Sequence, residues 1–69
     1  MDNYVILIWE SQPMSKEYGP RFEFNNIPAD SPEIALRNVM QENNLHQVFY
    51  AEVRRNDGHD FQKFENYSL

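Results

Sequence analysis

The chain has no cysteine. Disulfides and thiolate metal sites are therefore excluded. Glycine is nearly absent too: only Gly19 and Gly58 occur. That is too few for a phosphate-cradling loop or a dinucleotide fingerprint. Long apolar runs are missing. The longest is Tyr4 to Trp9, far short of the about 20 residues a bilayer-crossing helix needs. Basic residues are the minority, with Lys+Arg 6 against Asp+Glu 11 and a net charge of −5 at pH 7. This balance argues against binding that depends on neutralising nucleic-acid phosphates, and against docking on an anionic membrane. Met1-Asp2-Asn3 carries no basic stretch of the kind that opens a secretion signal. The expectation is a cytoplasmic protein without membrane association.

What remains is a chain of 69 residues, read as a single domain over 1–69. A core of this size rarely supplies more than ~3–5 kcal/mol. With disulfides excluded, stability rests on close packing or on self-association. The eleven acids are spread from Asp2 to Glu65 rather than gathered in a tail, as on a solvated surface.

One segment has helical character, within Pro28 to Asn44. Ser31-Pro32 reads as N-cap and first helical residue, where the missing proline N–H costs nothing. Asp30 with Glu33 is the rival start, a capping box one residue earlier. Ala35, Leu36, Val39 and Met40 recur at i, i+4 and form one apolar face. Ile34 lies off that face, either folded over the helix entry or open to a partner. Asn43-Asn44 marks the end, since asparagine tolerates the left-handed conformation.

Everything else reads as strand or turn. Tyr4 to Trp9 is apolar on both alternating sets, Tyr4-Ile6-Ile8 and Val5-Leu7-Trp9, as in a central strand. Ser11 to Pro20 is a long loop with Met14 and Tyr18 as its apolar members. Arg21 to Asn25 alternates, Phe22 and Phe24 one way and Arg21, Glu23 and Asn25 the other. Gln47 to Arg55 forms a third strand, with Phe49, Ala51 and Val53 expected inward and Val48, Tyr50, Glu52 and Arg54 outward. Asn56-Asp57-Gly58-His59 is a hairpin turn in which Gly58 would supply a positive φ. Asp60 to Tyr67 is the last strand. Its Phe61, Phe64 and Tyr67 are three apart, which predicts a bulge or irregularity.

The order β-β-α-β-β, with a right-handed crossover, gives an α+β fold: a four-stranded antiparallel sheet of order 2-1-3-4 with one helix on one face. The segment Ala29-Asp30-Ser31-Pro32-Glu33-Ile34-Ala35-Leu36-Arg37-Asn38 resembles the strand-to-helix junction of PaaB-type accessory subunits of bacterial phenylacetate degradation. The resemblance covers this junction alone and carries over no residue and no activity.

No catalytic constellation is visible. The serines fall in loops, a cap and a tail, with no glycine elbow around any of them. Asp57-Gly58-His59-Asp60 contains metal-ligand residue types but no ligand spacing, and a turn uses the same residues. The expectation is a protein that is not an enzyme and uses no metal or cofactor. A sheet covered on one face leaves an apolar stripe flanked by charges on the other, which marks association. The expected function is a non-catalytic protein-binding module, self-associating as a homodimer or serving as an accessory subunit. The expected anchors are Tyr4, Ile6, Ile8, Trp9 and Tyr50, rimmed by Arg21, Glu23, Glu52 and Arg54. Two other classes compete. One is an acidic inhibitor filling the nucleic-acid groove of an enzyme. The other is a weak single-stranded RNA binder using Tyr50 with Arg54 and Arg55.

Overall fold

The structure is a computed structural model and describes residues 1–10 and 19–69. Of the expected loop Ser11–Pro20, all but its last two residues, Met14 and Tyr18 included, lies outside the described residues. Four strands and one helix follow in the expected order: β1 (Asp2–Trp9), β2 (Phe22–Ala29), α1 (Pro32–Glu42), β3 (Gln47–Arg55) and β4 (Gln62–Ser68). The strands form one sheet of order β2-β1-β3-β4, antiparallel at every junction.

The helix starts at Pro32, with Ser31 as the cap in an extended conformation. The Ser31 hydroxyl accepts from the Ile34 backbone N–H at 3.2 Å, satisfying one of the amides that a helix start leaves open. Ser31 rather than Asp30 therefore sets the boundary. Glu33 lies in the first turn, where the helix dipole favours negative charge. At the far end the Asn43 side chain donates to the Val39 carbonyl at 2.8 Å. Asn44 takes the left-handed conformation, φ 57°. Ala35, Leu36, Val39 and Met40 are all buried, as the spacing predicts. Ile34 stays 42% exposed.

The core lies between this helix face and one face of the sheet. It contains Tyr4, Ile6 and Ile8 of β1, Ala29 of β2, and Val48, Ala51 and Val53 of β3, with Phe22, Phe24, Ile27, Phe64 and Tyr67 packed against it. Two strands reach this arrangement by breaking their own alternation. Between Tyr4↔Ile27 and Ile6↔Phe24, β2 carries one residue more than β1. Asn26 sits there with φ 58°, which asparagine adopts more readily than most residues. The bulge brings Phe22, Phe24, Ile27 and Ala29 to one side, so β2 runs on to Ala29 instead of ending at Asn25. The second break lies in the β3–β4 ladder. Val48 pairs with Tyr67 and Tyr50 with Glu65, and the position between is skipped. Asn66, with φ 49°, occupies it on β4. The three-residue aromatic spacing thus does report an irregularity.

The same break corrects the reading of β3. Val48, expected outward, is 0% exposed and part of the core, whereas Phe49, expected inward, is only half-buried. Strict alternation fails because β3 changes phase across the skipped position. Gly58 is also corrected. It has no positive φ, and the turn closes instead through its N–H donating to the Arg55 carbonyl at 3.0 Å. Strand β4 starts at Gln62 rather than Asp60.

Tyr67 ties β4 to the helix. Its hydroxyl donates to Glu33 Oε2 at 2.7 Å and accepts from Arg37 Nη1 at 3.4 Å. Leu36→Ala should cost about 2–5 kcal/mol in chemical denaturation, since the site is fully buried. At Asn66, substitution by valine should cost about 1–2 kcal/mol and substitution by glycine much less, because the left-handed backbone penalises a branched Cβ. Equal losses for the two Asn66 variants would show that backbone conformation does not fix the end of β4.

Candidate functional site

The face of the sheet opposite the helix is built by the ladder pairs. Leu7 lies between Glu23 of β2 and Glu52 of β3, and Glu52 pairs on with Lys63 of β4. One step along, Trp9 pairs with Tyr50, and Tyr50 with Glu65. One step the other way, Val5 pairs with Arg54, whose guanidinium stands 5.5 Å from the Phe61 ring centre. The face is therefore a strip of Val5, Leu7 and Trp9 with Tyr50 beside it, between charged margins.

The nine residues expected at this site divide. Trp9, Tyr50, Glu23, Glu52 and Arg54 are brought together on the outer face. Arg21 lies at its corner, just before β2, with its Nε 3.9 Å from Glu10 Oε2. Tyr4, Ile6 and Ile8 are not on this face. They lie under the helix at 3%, 0% and 0% exposure, so they are core residues and cannot be anchors. Their place is taken by the other set of the same strand, Val5 and Leu7 with Trp9. Sequence reading also passed over Lys63 and Glu65, whose alternation against the inward Phe64 was the available signal.

Within the strip, Val5 and Tyr50 are already buried, at 8% and 7% exposure, and Leu7 and Trp9 are half-buried. The Trp9 and Tyr50 rings lie 5.3 Å apart between centres, tilted by 55°. Such a pair contributes about 0.5–1.5 kcal/mol beyond its burial. The Tyr50 hydroxyl donates to Glu52 Oε2 at 2.8 Å. Burial first, and this bond to a carboxylate second, push the Tyr50 phenol up to about 12. Tyr67 is raised as well, by burial and by its bond to Glu33, against the opposing pull of Arg37. Neither phenol is poised to give up a proton near neutral pH.

On the helix side of the sheet a groove of about 630 Å³ opens beside Tyr4, Pro32, Val53, Arg55, His59 and Phe61. It gathers no set of acids or histidines. Among the described residues no cluster of His, Asp and Glu could hold a metal, and every buried polar side-chain atom has a partner. Among the described residues no helix is long and apolar enough to cross a membrane. Compared with family models, curated proteins and solved structures, the chain matches none.

The raised Tyr50 phenol has a consequence at high pH. Because its folded value exceeds the ordinary value of 10.0, the folded state holds this proton more tightly than the unfolded chain. Its stabilising contribution is complete below pH 10 and is lost as pH rises through about 12. Ultraviolet titration should show a tyrosine ionising near pH 12 that disappears in Tyr50→Phe. In Glu52→Gln it should ionise earlier, yet still above the ordinary value, since burial is the larger cause. A Tyr50 midpoint at the ordinary value would show that the phenol is open to water.

Proposed function

We propose that this chain is a non-catalytic, cytoplasmic protein-binding module. It associates through the outer face of its sheet, with itself or as an accessory subunit of a larger assembly. The observation that carries this reading is the one-sided cover. Among the described residues a single helix shields one face, and the other presents Leu7 and Trp9 half-open at its centre. Contiguous apolar surface ringed by charge is what association sites offer. Trp9 stands there half-buried, its ring tilted against that of the buried Tyr50, and aromatic residues are the usual anchors of such contacts. The mixed signs of the margin, Glu23, Glu52 and Glu65 with Arg54 and Lys63, favour a protein surface over a polyanionic groove or an RNA strand.

Leu7→Lys tests the face. The introduced ammonium would stand between the Glu23 and Glu52 carboxylates, the cross-strand neighbours of Leu7, so the fold should tolerate it. Association is read by light scattering of the purified chain and by capture on the immobilised chain. Leu7→Lys should weaken both, with an unchanged circular dichroism spectrum. Ile34→Lys, on the exposed side of the helix, should weaken neither. The only tryptophan of the chain, Trp9, should shift its emission to the blue as association proceeds. Binding left at full strength in Leu7→Lys would reject the outer face as the contact.

A further inference from the structure

Resting on that reading, we propose that the occupant of the outer face is a second copy of this chain. The two sheets would stack face to face about a two-fold axis that runs along the strands between β1 and β3. The basis is the order of charge at the margins. One row across the sheet reads Glu23, Leu7, Glu52, Lys63. The next reads Trp9, Tyr50, Glu65, with Arg21 two residues before Glu23 on the β2 side. The β2 margin therefore carries positive then negative charge, and the β4 margin negative then positive at the same heights.

That arrangement is complementary to itself. A two-fold along the strands lays β2 of one copy over β4 of the other at equal height. Glu23 then meets the partner's Lys63, and Arg21 meets the partner's Glu65. In the row of Arg21 and Glu65 Trp9 meets the partner's Tyr50, and in the row of Glu23 and Lys63 Leu7 meets the partner's Glu52. A two-fold across the strands would also match the four corners, but it leaves the Val5–Arg54 row overhanging. The axis along the strands covers all three rows. Had both margins carried charge in the same order, two copies related by this axis would repel.

The contact is small. Four strands at about 4.8 Å and three rows at about 6.8 Å make a face of roughly 400 Å². A stable interface takes about 800 Å² from each partner, so the dimer is weak and exchanges rapidly. The net charge of −5 per chain opposes the approach of two copies at long range. Local pairing at the corners is what allows them to meet. Arg21 is exposed and its Glu10 pair is long, 3.9 Å, so it can exchange that partner. Glu23 and Lys63 are exposed, so substitution there leaves the core untouched.

The experiment is sedimentation equilibrium across a wide concentration range on the wild-type chain, E23K, K63E and the double variant, with thermal melts to confirm folding. Each single substitution acts twice across the two-fold. Each should raise the dissociation constant roughly tenfold, as paired charges become like charges. The double variant should return to within about threefold of the wild type. E23K reduces the overall negative charge of each copy, so weaker association there cannot come from general repulsion. Singles that leave the dimer unchanged, or a double that does not recover, overturn the proposed axis. If Leu7→Lys still dissociates the chain in that case, the face itself stands. A wild-type chain that remains monomeric throughout overturns the second copy as occupant and leaves capture of another protein as the test of the face.

Discussion

The structure depends on one constraint: side chains of a strand alternate between two faces, and among the described residues there is one helix to cover them. An eleven-residue helix packs on β2, β1 and β3 and buries their inward residues. Among the described residues no second layer covers the outward residues of the same strands. A protein this small gains by gathering further aromatic side chains on the covered side. It does so with Phe22, Phe24, Phe64 and Tyr67, all packed against the core. Perfect alternation would not place them there together. The breaks at Asn26 and Asn66 re-phase the edge strands. Each asparagine thus exchanges a regular ladder for a larger core.

The fold was legible where a signal is local. Ser31-Pro32, the i, i+4 stripe of the helix and Asn43-Asn44 each report on their own neighbourhood, and the structure has them as read. The strand order followed from the element order and the handedness of the crossover. The spacing of Phe61, Phe64 and Tyr67 announced the irregularity at Asn66. An equivalent spacing in β2, where Ile27 follows Phe24 by three, marks the bulge that carries that strand past Asn25. Val48 and Phe49 were misplaced for a related reason. The phase change in β3 answers the one at Asn66, and a change of phase in a partner strand leaves no mark on β3's own pattern.

The site was legible only in part, for a physical reason. Both sets of β1 are apolar, so composition cannot say which one meets the helix. Register would decide, but a long connection separates β1 from β2 and does not fix the register as a two-residue turn would. A slip of one residue exchanges the faces of a strand. Tyr4, Ile6 and Ile8 were therefore as acceptable as Val5, Leu7 and Trp9 until the pairing of Ile6 with Val53 and Leu7 with Glu52 was known. The polar partners Glu52 and Arg54, which alternation had placed outward, carry the Val5 set with them.

The sheet edges bear on where association can occur. An open edge strand is the usual site for adding another strand. Here β2 is bulged at Asn26 and carries Pro28, which has no N–H to offer a new ladder. Strand β4 is broken at Asn66 and mostly exposed, with Lys63 and Glu65 among its residues. Both edges are poor templates for extension. Two copies that meet edge to edge would find few donors and acceptors in register. The features that build the core thus also discourage the edge contact.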